Sequence, residues 1–131
     1  MGLSYARLKL KNARLTELAP VEVNALADSA AVHLCIPEHV ALQLQLEELE
    51  KREVKIADGT RRLVPYMGPI IVSFANRQCY VGAMVLGDET LLGAIPMEDM
   101  DLVILPKTQQ VAVNPDNPNF AASIAKGGGG L

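Results

Sequence analysis

The chain has 131 residues, half of them hydrophobic and few aromatic, enough for one domain with an aliphatic core. A net charge of −3 with no basic stripe argues against a nucleic-acid partner. No apolar run is long enough to cross a bilayer and Met1 to Tyr5 lacks a secretory h-region, so a cytoplasmic protein with no membrane partner is expected.

In chain order, Tyr5 to Lys11 alternates: Leu8 and Leu10 lie on one face, Arg7, Lys9 and Lys11 on the other. This is a half-exposed strand whose lysines suit a sheet edge. Val21 to Ala27 is a second strand that runs into Asp28, and Val32 to Ile36 a third. Pro37 suits a first helical position, with Glu38 in the turn where the helix dipole favours an anion. The helix is expected to end near Leu46. The charged run Glu47 to Glu53 then reads as a solvated connection.

Val54 and Ile56 lead to Asp58-Gly59, the strongest hairpin signal in the chain, and Leu63 and Val64 begin the return strand. Pro65 and Pro69 are expected to break its pairing. Ile70, Val72 and Phe74 alternate up to a turn at Asn76-Arg77, and Cys79 to Val85 return. The glycine of Leu91-Leu92-Gly93 suggests close backbone approach. Pro96 opens a brief helical turn through Met100. Leu102 to Leu105 and Gln110 to Val113 pair across a turn near Lys107. A domain over residues 1–118 is followed by a tail, 119–131, expected to be flexible through its glycine run. Many short strands with close turns and one or two short helices indicate an all-β barrel or sandwich.

Asp is rarely buried without a partner, and a lone carboxylate after an apolar strand ordinarily caps a turn. The order of segments around Asp28 says more. Apolar-Asp28-Ser29-Ala30-Ala31 is followed by Leu34-Cys35-Ile36-Pro37, then Ala57-Asp58-Gly59-Thr60, then Leu91-Leu92-Gly93-Ala94 leading into a short helix, and finally Val113-Asn114-Pro115. This set resembles the retropepsin-like (clan AA) aspartic proteases, and most closely their bacterial single-domain branch. The resemblance covers about Leu8 to Pro118.

The resemblance implies a closed barrel of short strands that works as a C2 homodimer, because the chemistry needs two carboxylates and this chain carries one such motif. Asp28 would be the catalytic residue, contributed once by each subunit. Ser29 would lock the two loops together, with Ala30, Leu92 and Gly93 supporting the loop. Ala57, Asp58 and Gly59 would form the tip of a flap closing over an extended polypeptide. No cofactor or metal is implied: His33 and His39 lack a third ligand at metal spacing. Cys35 and Cys79 lie in apolar stretches and read as small core residues. The family carries glycine where this chain has Ala30, and a larger apolar residue is common at Ala27. A Cβ at position 30 narrows a crowded place. That departure opens an alternative: a catalytically weak or inactive dimer serving as a peptide-binding or assembly module.

Overall fold

The computed structural model describes residues 3–125. The expected flexible glycine run, 127–130, lies outside the described residues. Nine strands and two short helices follow in order: β1 Tyr5–Asn12, β2 Val21–Ala27, β3 Leu34–Ile36, α1 Glu38–Gln43, β4 Glu47–Lys55, β5 Arg61–Phe74, β6 Arg77–Val85, β7 Leu91–Leu92, α2 Ala94–Asp99, β8 Leu102–Leu105 and β9 Gln110–Val113. Among the described residues no helix is long and apolar enough to cross a membrane.

The main sheet runs β1-β2-β7-β3-β6-β5-β4, and a further pairing of β1 with β5 closes its first six strands into a barrel. β8 and β9 form a separate antiparallel pair. Alternation predicts which faces are buried: Ala6, Leu8 and Leu10 of β1 point inward with Leu34, Ile36, Ile70, Val72 and Leu92. Alternation does not report what flanks a strand. β1 is therefore not the expected edge: it pairs with β2 from Tyr5↔Leu26 to Leu10↔Val21, and with β5 from Lys9↔Ser73 to Asn12↔Ile70.

The edge is β4, and here the structure corrects the reading of Glu47 to Glu53 as a connection. These residues are a nine-residue strand paired with β5 from Glu47↔Gly68 to Lys55↔Arg61. The hairpin projects from the barrel with water on much of both faces, so charged side chains occupy it at little cost. Its backbone is satisfied by β5, and its charges discourage pairing with other chains. Ion pairs such as Arg61–Glu53 at 3.1 Å are exposed and contribute little individually.

The prolines do not break β5 either. Pro65 lies just beyond the last β5–β6 pair, Tyr66↔Met84, where a missing N–H costs no ladder bond on that side. Pro69 falls inside the register shift between Met67 and Ile70, where the ladder is already interrupted.

Pro37 is the N-cap of α1 rather than its first helical residue, and the helix ends at Gln43 with Leu44 as its C-cap, before Gln45 in the left-handed region. A buried amide secures that end. Asn12 Nδ2 donates to the carbonyls of Leu44 and Gln45 at 2.9 and 3.1 Å, and its Oδ1 accepts the N–H groups of Arg14 and Leu15. Asn12→Leu would leave several inward-facing backbone groups without partners. We expect it to cost about 2–3 kcal/mol, read as a lowered midpoint in urea denaturation with an unchanged slope.

β3 begins two residues later than expected, because the carbonyls of Ala31 and Val32 accept the N–H groups of Ala94 and Ile95 instead of joining a ladder. α2 correspondingly begins at Ala94, with Gly93 as its N-cap. Beyond β9 the chain is tied back to the barrel. Asp101 accepts hydrogen bonds from Ala122 N–H, Asn114 and Asn117, which hold its carboxyl below the usual carboxylate range, with Arg77 contributing. Arg77, itself buried, donates to the Met100 and Asn117 carbonyls.

Candidate active site

β2 delivers Asp28 to its site. The parallel pairing Ala27↔Leu92 continues as Asp28 N–H donating to the Leu92 carbonyl at 3.0 Å, so β7 fixes the Asp28 backbone. The chain then turns sharply: Ala31 N–H donates to the Asp28 carbonyl, and Ala30 N–H donates to Asp28 Oδ1, both at 3.0 Å. The carboxylate is thereby oriented by its own loop. Asp28 is half-buried, while Ser29 and Ala30 are exposed beside it. Ala30 is not among the residues with positive φ, so the turn forms with alanine and without left-handed backbone.

Gly93 lies under this loop. A Cβ built there would stand 2.8 Å from the Ala31 carbonyl oxygen and nearer still to that of His33. Backbone meets backbone at this crossing, and Leu92 before it is fully buried.

The β4–β5 hairpin ends at Ala57, Asp58 and Gly59, all exposed. Gly59 has φ +90°, which explains the glycine. Asp58 Oδ1 accepts from Thr60 Oγ1 at 2.6 Å and from Thr60 N–H at 2.9 Å. These bonds hold the Asp58 carboxyl below the usual range, so the tip keeps its geometry until pH falls through that lowered value.

Between the loop and β4 lies a mostly apolar cleft of about 560 Å³. Ala30 to His33 form one wall and Arg52 to Lys55 the other, over Cys35, Met84 and Leu86. Of the catalytic, loop-support and flap residues expected from sequence, only Ala30 lines it. Asp28, two residues before Ala30, does not itself line it, and the hairpin tip lies beyond the end of β4. Burial, and then the Asp28 charge, push the Cys35 thiol up, so it is a protonated floor residue rather than a nucleophile. Burial pushes Cys79, in the core, up to about 12, with Asp99 adding to the effect. Both cysteines are free.

The sequence reading missed a cluster at the base of the hairpin. It set His33 aside as an ordinary histidine and Arg52 as a solvated charge. Arg52 Nη1 lies 3.2 Å from His33 Nε2, and the guanidinium carbon stacks 4.0 Å from the centroid of Tyr66. The His33 and Tyr66 rings meet edge to face at 5.9 Å. Tyr66 packs against Gly82, where a Cβ would come within 2.7 Å of the phenol oxygen and closer to the ring carbons. The available signal was period two: Arg52, Val54 and Ile56 are the less exposed residues of β4 and its extension.

No protein-family model matches the chain, and no curated protein matches it in sequence. Among solved structures it is similar to the retroviral protease-like domain of Ddi1 from Leishmania major, with a TM-score of 0.55 over 87% of this chain and 91% of that one, at 14% identity. The fold is retropepsin-like. The simian foamy virus protease is also similar, with a TM-score of 0.44 at 17% identity over 70% of this chain and 90% of that one. Within the retropepsin-like frame, the loop that follows Asp28 and strand β4 of the hairpin face each other across one cleft.

Proposed function

We propose that the chain is a homodimeric aspartic endopeptidase of the single-domain bacterial branch of clan AA. One observation carries this reading: the Asp28 carboxylate is held by the N–H of Ala30, and the loop that Ala30 begins forms one wall of a mostly apolar cleft whose other wall is strand β4 of the projecting hairpin. Two such subunits related by a two-fold axis would bring their Asp28 carboxylates together. Two like charges at that distance cannot both ionise, so the pair shares a proton. The ionised member takes a proton from water while its partner protonates the substrate carbonyl. Ser29 of each subunit would hold the two loops in register. An extended polypeptide would lie along the cleft under the Ala57-Asp58-Gly59 tip, paired as a strand.

The test is digestion of an unfolded polypeptide from mildly acidic to neutral pH, with products sequenced and the particle mass measured by light scattering. Internal cleavage with a bell-shaped pH profile by a particle of twice the chain mass is expected. A monomer that cleaves nothing at any pH would refute the reading.

The place of Ala30 favours a second reading, a peptide-binding or assembly module on the same dimer. Ala30 lines the cleft, and its N–H holds the Asp28 carboxylate. On that reading the protein binds extended peptides without turnover, and Ala30→Gly raises cleavage from undetectable to measurable. On the endopeptidase reading Ala30→Gly changes an existing rate.

A further inference from the structure

The hairpin and the Asp28 loop belong to separate elements, and what joins them at the hairpin base is unusual chemistry. The loop side is pinned. Ala31 and Val32 are bonded through their carbonyls to the start of α2, and the His33 carbonyl abuts Gly93. The hairpin side is not: β4 is the edge strand, bonded to β5 alone. Arg52 spans the gap, with its guanidinium stacked on Tyr66 and directed at His33.

An arginine has only donors, so His33 Nε2 must offer a lone pair and the ring proton must sit on Nδ1. We propose that Arg52 is a positioning residue that straps the hairpin to the Asp28 loop through His33 Nε2, and that protonation of His33 releases the strap. Once Nε2 carries a proton it has nothing to accept with, and two cations face each other. Burial, and then the Arg52 charge, already hold the imidazole below its ordinary 6.5. As pH falls through 6.5 the unfolded chain takes up the proton first. Stability therefore declines from there downward until the folded value is reached.

The other groups facing His33 are few. Glu50 on β4 accepts from Arg52 Nε at 2.7 Å, and Glu53 and Lys55 of the same strand line the cleft with His33. Tyr66 on β5 presents its ring. Cys35 on β3 has its thiol 3.9 Å from the His33 carbonyl. Asp28 lies on the same loop, and α2 donates the N–H groups of Ala94 and Ile95 to it. If the chain is an endopeptidase, the strap loosens the flap as the medium approaches the acidity at which a carboxylate pair carries one proton. That use rests on the proposed function; the strap itself does not.

The experiment is amide hydrogen exchange on the full chain at about pH 7.5 and about pH 5, corrected for intrinsic rates. We expect protection of residues 47–64 to fall roughly tenfold at the lower pH while the barrel is unchanged. His33→Gln keeps an acceptor that cannot titrate, so its hairpin stays protected at both pH values. Arg52→Met exposes the hairpin at both. Equal hairpin protection in the wild type at the two pH values would overturn the proposal. Should a variant fail to fold, nitrogen NMR of the wild-type imidazole decides: Nε2 carries the lone pair at neutral pH, and a proton found there refutes the strap. Exchange and tautomer are read without any cleavage, so their outcome is separate from that of the protease reading.

Discussion

Asp28→Asn is expected to lower cleavage by a factor on the order of a thousand while leaving fold and dimer intact. The amide is isosteric and still accepts the Ala30 N–H at Oδ1, so the turn survives. What is lost is the carboxylate that takes a proton from water. The more informative form of the experiment mixes wild-type and variant subunits after equilibration. If each active site draws one carboxylate from each chain, mixed dimers are dead. Equal mixing then leaves about a quarter of the activity of the same total protein; two self-sufficient sites would leave about half. The larger value would rule out a shared dyad even if Asp28 proved essential.

Gly93→Ala is expected to damage the fold more than any other single-methyl change considered. Its Cβ would press on the carbonyl oxygens of His33 and Ala31, both on backbone that is already committed to hydrogen bonds or close packing. Relief requires moving the loop off α2, breaking the bonds from Ala94 and Ile95 that position it. A loss of about 3 kcal/mol or more is expected, read by urea denaturation, against a total of about 5–15 kcal/mol for a domain of this size. Gly82→Ala provides the control. Its Cβ meets the Tyr66 ring, a side chain that can rotate away. About 1 kcal/mol is expected there, with the disturbance confined to the hairpin base. Equal midpoints for Gly93→Ala and wild type would show that the crossing is looser than the structure has it.

The contrast between these glycines also shows where sequence reading succeeds. Leu91-Leu92-Gly93 reads as a close approach, since glycine after two leucines has few other uses. Asp58-Gly59 reads as a hairpin tip, since Gly59 occupies backbone space other residues avoid. Alternation in Ile70 to Phe74 and Cys79 to Val85 marks strands because one side faces the core. β4 defeats the same method. A strand wet on both sides has no apolar period, and Glu47 to Glu53 therefore looks like a connection until its partner β5 is seen. The Asp28–Ala30 turn is local and visible in the motif. The Arg52–His33–Tyr66 cluster is not, because three elements must be folded before those residues share a neighbourhood.

Closure of the barrel through Lys9↔Ser73 to Asn12↔Ile70 has a consequence for biogenesis. A nascent chain can form the β1–β2 ribbon early, but the second flank of β1 waits until Phe74 has left the ribosome. Until then β1 offers a bare row of amides and carbonyls that any passing strand could take. Shortening the delay, by permuting the chain so that β5 precedes β1, should raise the soluble yield while leaving the strand pairings of β1 in the finished molecule as they are.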